Sequence, residues 1–241
     1  MRFTRSIVPN MFTLVNLYMG FSAIVHTTYG HYERAALFIL VAGIFDMIDG
    51  IVARLLKATS KFGVELDSLC DLVSFGVAPS FILYHVYFHQ FGEMGILLAS
   101  FPAIAGATRL ARFNIQLTSM EDKLFFTGLP IPASAFFIVS YVLFYHMSIT
   151  FSQSINSVMI FIVTLGAAML MVSRIKFYNV PRPTSKSIKE NPVIFVIFAI
   201  GLIASIWSRG KLVFPFMLFY IIGSIIRQLI IKTRDAKRNI Q

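Results

Sequence analysis

The chain contains a single thiol and very little charge. Cys70 is its one cysteine, which excludes an intramolecular disulfide and any metal site built on clustered thiolates. Charged residues fill 13% of the 241 positions against 57% for hydrophobic ones, and the mean hydropathy is +0.76. A soluble domain of this length needs a largely polar surface and could not hide so much apolar side chain. A bilayer removes the difficulty by acting as the solvent, so the composition predicts an all-α polytopic membrane protein. No linker, low-complexity tract or internal repeat divides it, and residues 1–241 read as a single integral membrane domain. The formal charge of +10 would suit a nucleic-acid binder. In a membrane chain it fits loop arginines and lysines facing an anionic leaflet, and no nucleic-acid partner is expected. The apolar run after Arg2 and Arg5 is too long for the core of a cleavable signal and lacks a clear small-residue cleavage site.

A spanning helix needs roughly 20 mostly apolar residues. Eight stretches qualify, near 10–28, 34–55, 66–88, 93–114, 130–148, 155–173, 192–208 and 212–231. Charge placement tests that count. With the N-terminus inside, 18 of the 21 basic residues fall in cytoplasmic segments, and only Arg34, Arg209 and Lys211 do not. Such regularity predicts an even number of spans, with both termini in the cytoplasm. Pro130 and Pro132 suit the start of the fifth span, where a missing N–H costs little. The basic tail from Arg227 to Arg238 reads as a surface anchor, and the phenylalanines at 136–144 and 213–219 as packing or lipid contact. The five histidines (His26, His31, His85, His89, His146) fall mostly near outer helix ends and read as interfacial.

Carboxylates are scarce as well, and their placement is uneven. Of six aspartates, four lie within 26 residues: Asp46, Asp49, Asp67 and Asp71. The first two sit in the cytoplasmic half of the second span and the others open the third. A carboxylate in a spanning helix costs a few kcal/mol or more unless it is paired or lines a polar cavity, which makes each a functional candidate. Residues three or four apart share a helix face. Asp46, Asp49 or Gly50, and Ala53 therefore form one stripe, and Gly63, Asp67, Asp71 and Ser74 form another if the third helix begins early enough. The short loop between the spans makes the two helices antiparallel neighbours with facing stripes. Four carboxylates at close range stay ionised together only with cations between them, and hard divalent ions, Mg²⁺ or Mn²⁺, are the natural occupants. Gly50 and Gly63 leave room for a ligand to approach the backbone, and Arg54 offers a permanent cation for a phosphate. The combination describes a pyrophosphate site.

Written out, the stretch is Asp46-x2-Asp49-Gly50-x2-Ala53-Arg54-x8-Gly63-x3-Asp67-x3-Asp71. It matches in full the signature of the CDP-alcohol phosphatidyltransferase family. Three further runs resemble the bacterial and archaeal phosphatidylserine synthases within that family. These are Leu66 to Pro79, Arg109-Leu110-Ala111-Arg112-Phe113-Asn114, and Thr127 to Ala133. The opening Pro9-Asn10 with Thr13, Asn16 and Gly20 resembles the family's first helix. The resemblance implies a core of six spans, to which this chain adds two, and a homodimer. It implies that Asp46, Asp49 and Asp67 ligate two divalent ions, with Asp71 ligating the second and serving as general base. It further implies that Gly50, Ala53 and Gly63 line a cytidine pocket, that Arg54 contacts the nucleotide phosphate, and that Asn10 touches the nucleotide.

The reaction implied joins CDP-diacylglycerol and L-serine to give phosphatidylserine and CMP, at a site on the cytoplasmic face of the inner membrane. Acyl chains would stay among membrane lipids while nucleotide and serine arrive from water. Serine carries a carboxylate, which an arginine binds well in bidentate fashion. Arg109 and Arg112, with Asn114 beside them, stand at the end of the fourth span, and Arg112 is the expected reader of that carboxylate, with anchoring or lipid-phosphate contact as the alternative. Two other functions stay open on sequence grounds. One is the same chemistry with glycerol 3-phosphate, inositol phosphate or choline as acceptor, and the other is an ion-coupled transporter using the same aspartates.

Overall fold

The computed structural model describes residues 2–56, 58, 60–116, 125–148 and 152–178, and from 196 to 238 all but 197–199, 202 and 206. Helix α1 (Arg2–Thr28) is built inside out. Pro9, Thr13, Asn16, Gly20, Ala23 and Thr27 recur every three or four residues and are buried, whereas Met11, Leu14, Tyr18 and Phe21 point outward. Small and polar residues on the inner stripe let backbones approach closely, and the apolar outer face suits lipid. Gly30, in a left-handed conformation at φ 73°, turns the chain into α2 (Tyr32–Leu55), which packs along α1.

Ser60 starts α3 (Lys61–Asp71) by accepting a hydrogen bond from the Gly63 N–H at 3.0 Å. The helix therefore begins five residues before the apolar stretch read from the sequence. It widens into a π turn over Leu72–Val77 and continues as α4 (Ala78–Val86). Pro79 explains the widening. It supplies no N–H and its ring crowds the carbonyl four residues back, so the ladder passes from the Ala78 N–H to Val73. A turn over Phe88–Phe91 and Gly92, at φ 55°, sends α5 (Gly92–Gln116) back antiparallel.

Helix α6 (Ile131–Tyr141), prolonged by a second π turn over Val142–His146, is the most enclosed of the helices, and α7 (Gln153–Val172) packs against it and α5. The segments before α6 and after α7 form a feature the sequence did not announce. Strand β1 (Phe125–Thr127) pairs antiparallel with β2 (Lys176–Tyr178), in the register Phe126 opposite Phe177. The last helix, α8 (Val213–Arg238), packs on α6 and β2.

Six of the described helical stretches are long and apolar enough to cross a membrane, and Ile131–His146 adds a shorter apolar one. The protein is an all-α polytopic membrane protein apart from the small ladder. The stretch expected near 192–208 lies mostly outside the described residues. All five histidines stand at the end of the bundle away from the aspartates, at the α1–α2 turn, around the α4–α5 turn, and at the end of α6.

Candidate functional site

The early start of α3 brings the two acidic stripes face to face. One carboxylate oxygen each from Asp46, Asp49 and Asp67 lie within 4.8 Å of one another. Asp71, one turn deeper on α3, sits against Asp46 and faces the same space. Asp49 is 5% exposed and Asp71 8%, while Asp46 and Asp67 are half-buried.

Helix α1 supports two of the four. The Thr13 hydroxyl donates to Asp49 Oδ2 at 2.8 Å, and Asn16 Nδ2 donates to Asp71 Oδ1 at 3.0 Å. Asn16 is fixed in turn, because Ser74 Oγ donates to its backbone carbonyl at 2.9 Å. That contact needs α1 and the π turn to touch, and Gly20 permits it: a Cβ there would stand 2.7 Å from the Ser74 Cα. Thr13 and Asn16 were visible in sequence only as family-like positions. The signal that identifies their role is the stripe of small and polar residues at 9, 13, 16 and 20 along an otherwise apolar helix.

The donor set fits a hard cation. All the candidate donor atoms are carboxylate oxygens, and Asp67 Oδ1 is buried without a hydrogen-bond partner among the described residues. Burying several anionic oxygens around one space is very unfavourable unless a positive charge joins them. Oxygen donors of this kind suit Mg²⁺ or Mn²⁺ rather than a soft metal.

The expected nucleotide contacts come from three helices around the same end of the bundle. Gly50 follows Asp49 and has open space where a side chain would be. Gly63 on α3 faces Asn10 on α1, whose Oδ1 a Cβ at Gly63 would meet at 3.3 Å. Ala53 is half-buried on the α2 face and Arg54 is exposed at its end.

The two arginines of α5 have different environments. Arg109 is 7% exposed, and its guanidinium is within reach of the charge of Asp71. Arg112 reaches instead to the end of α7, where Nη1 donates to the Val172 carbonyl at 3.0 Å and Nη2 to Thr127 at 3.2 Å. Longer contacts join Nη2 to the carbonyls of Met171 and Ser173. The guanidinium thereby satisfies orphan carbonyls at a helix C-terminus and ties α7 to β1. Gly128, at φ 83°, leaves room for it, since a Cβ there would approach Arg112 Nη2 to 3.1 Å. Asn114 turns to α3, donating to Ser68 Oγ at 3.0 Å and Glu65 Oε2 at 3.1 Å.

Comparison with known proteins agrees with this geometry. The family model described as CDP-alcohol phosphatidyltransferase matches residues 6–173. A Helicobacter pylori protein named CDP-diacylglycerol–serine O-phosphatidyltransferase is 37% identical over 229 residues, covering 94% of this chain and 92% of its own length. Proteins of the same name from Bacillus subtilis and Methanocaldococcus jannaschii are 36% and 33% identical. They cover 76% and 92% of this chain and 96% and 94% of their own lengths. With the aspartate constellation and a match spanning most of the chain, this protein belongs to the CDP-alcohol phosphatidyltransferase family of membrane enzymes.

Proposed function

We propose that the protein transfers the phosphatidyl group of CDP-diacylglycerol to the hydroxyl of L-serine, releasing CMP. The observation that carries this reading is the meeting of Asp46, Asp49 and Asp67 on facing helices, with buried Asp71 beside them. The names of the relatives above supply the acceptor.

Asp46, Asp49, Asp67 and Asp71 would hold two divalent ions, Mg²⁺ or Mn²⁺. Bound there, they would supply Lewis-acid charge to the diphosphate and to the departing nucleotide. The remaining work belongs to the protein's own groups. Gly50, Ala53, Gly63 and Asn10 form the surroundings of the cytidine, and Arg54 takes a nucleotide phosphate. Asp71, oriented by Asn16, accepts the proton of the serine hydroxyl as that oxygen bonds to phosphorus and the bond to the CMP oxygen breaks. Holding the two reactants in line supplies much of the acceleration.

Arg109 reads the serine carboxylate in this scheme, in preference to Arg112. Its burial within reach of the charge of Asp71 favours it, whereas the Arg112 guanidinium is engaged by main-chain carbonyls. The distribution of basic segments favours both termini and the site on the cytoplasmic face of the inner membrane. The reading also takes residues 1–241 as one domain that works as a homodimer, on the strength of the family resemblance.

The test uses purified protein with CDP-diacylglycerol, Mn²⁺ or Mg²⁺, and labelled serine. Labelled phosphatidylserine and equimolar CMP are expected, with essentially none from Asp71→Asn. Release of CMP with glycerol 3-phosphate, inositol phosphate or choline, but not with serine, would overturn the choice of acceptor.

A further inference from the structure

Helix α1 supports Asp49 and Asp71 by direct hydrogen bonds, but Asp67 is held differently. Its Oδ1 is buried without a hydrogen-bond partner among the described residues, so no such contact fixes that oxygen. Its place is therefore set by the helix that carries it. Asp67 lies in the second turn of α3, which starts only where Ser60 caps the Gly63 N–H. Helix ends fray, and a ligand so near an end moves with it unless something braces that end.

The brace comes from the far end of α5. Asn114 Nδ2 donates to Glu65 Oε2 at 3.1 Å. The same carboxamide lies against Ser68, with Nδ2 3.0 Å and Oδ1 3.2 Å from the Ser68 Oγ. Glu65 and Ser68 are three residues apart and share a face of α3, the one turned to α5. Asp67 lies between them in the chain and points elsewhere, to Asp46 and Asp49 of α2. One side chain thus grips a full turn of α3 from one side, and the carboxylate leaves that turn on another.

An amide suits this place. Glu65 needs a donor, and the Ser68 hydroxyl can take either a donor or an acceptor; a carboxamide offers both from one planar group. It also does so without charge. A lysine or arginine there would satisfy Glu65 but would set a fixed positive charge close to carboxylates arranged to hold cations.

We infer that Asn114 is a positioning residue for the metal site, bracing through Glu65 and Ser68 the turn of α3 that carries Asp67. The inference rests on the reading of the aspartates as ligands of divalent ions given above. It assigns Asn114 to the metal side of the reaction, although the residue follows Arg109 and Arg112 in the chain, and it makes α5 a third helix, after α1 and α2, on which the acidic cluster depends.

The test measures Mn²⁺ binding to the purified protein without substrates, from the EPR signal of the free ion. Asn114→Ala removes the brace and leaves the charge unchanged. Loss of these bonds predicts a Kd for Mn²⁺ raised about three- to tenfold. Ser68→Ala removes half of the brace, also without change of charge, and gives the same test in milder form should Asn114→Ala not fold. The decisive variant is the exchange of Asn114→Asp together with Glu65→Gln. It has the same net charge as the natural protein and rebuilds the bond with donor and acceptor reversed, so Mn²⁺ should bind close to normally. The rise in Tm that Mn²⁺ produces should shrink in Asn114→Ala and return in the exchange. An unchanged Kd in both Asn114→Ala and Ser68→Ala overturns the inference. So does an exchange that binds Mn²⁺ as poorly as Asn114→Ala, or a serine KM that rises at saturating Mn²⁺ while the Kd stays put, which would make Asn114 an acceptor contact. If the natural protein itself takes up no Mn²⁺, the reading of the aspartates fails and this inference with it.

Discussion

Thr13 on α1 and Asp49 on α2 are joined by a hydrogen bond of 2.8 Å between the hydroxyl and carboxylate Oδ2, with both side chains buried. The same hydroxyl also lies 3.2 Å from the Pro9 carbonyl of its own helix. A spanning helix that contributes no carboxylate to the acidic cluster therefore helps to set the orientation of one that does.

That bond predicts the behaviour of Thr13→Val, which preserves shape and removes the donor. Asp49 would lose an orienting contact, and outer contacts of this kind are commonly worth about 10- to 100-fold in metal affinity. The expected result is a rise of that order in the Mn²⁺ concentration giving half-maximal activity. Thr13→Ser, which keeps a hydroxyl, should restore most of it. A Mn²⁺ titration of CMP release is the measurement, and an unchanged titration curve for Thr13→Val would show that the bond does not orient the ligand.

Asn16 makes the corresponding contact to Asp71 and should be the more sensitive position. Asn16→Leu removes the donor and leaves a buried carboxylate without its partner, a cost of about 1–3 kcal/mol. Because Asp71 is the proposed base, the loss should fall on kcat, by about 10- to 100-fold if it is all expressed in the barrier. KM for CDP-diacylglycerol should move less. Steady-state kinetics on the purified variant separates the two parameters.

Gly20 is predicted to be a packing position. A Cβ there would stand 2.7 Å from the Ser74 Cα and would also overlap the Ser74 hydroxyl. A main-chain atom cannot swing aside, so Gly20→Ala must push α1 away from the π turn. Overpacking of this sort costs about 1–3 kcal/mol. It would also disturb the bond from Ser74 Oγ to the Asn16 carbonyl, so the fall in thermal stability in detergent should be accompanied by reduced activity. Gly50→Ala is the contrasting case. It meets no atom of the described residues within 4 Å, so its effect should appear in KM for the nucleotide-lipid and not in Tm.

Much of the site was legible because helical spacing is local. Asp46, Asp49, Asp67 and Asp71 fall on facing stripes through the 3.6-residue period alone, although the apolar pattern begins only at 66 and does not mark the start that the Ser60 cap gives α3. Less local features escaped. The ladder from Phe125 to Thr127 and from Lys176 to Tyr178 pairs segments about 50 residues apart, each too short for alternation to register. Arg109 and Arg112 are equivalent in sequence, since an arginine at the end of a span reads alike as anchor, cap or ligand. What distinguishes them is the course of the chain at the end of α7, which brings the carbonyls of 171–173 to Arg112.

That distinction gives a prediction for Arg112. Its guanidinium holds the C-terminal carbonyls of α7 and the Thr127 carbonyl together, so Arg112→Ala strands several main-chain acceptors and removes one of the ties between β1 and α7. Hydrogen bonds to a charged donor are worth about 1.5–3 kcal/mol, so a drop in Tm of several degrees is expected. Arg112→Lys should recover only part of it, because an ammonium lacks the planar fork that spans carbonyls from two elements. In the protein that remains folded, preference for serine over serinamide should change less than in Arg109→Lys. Thermal melts in detergent, followed by kinetics on the folded fraction, make the comparison. A stable Arg112→Ala protein that cannot tell serine from its amide would return the carboxylate to Arg112.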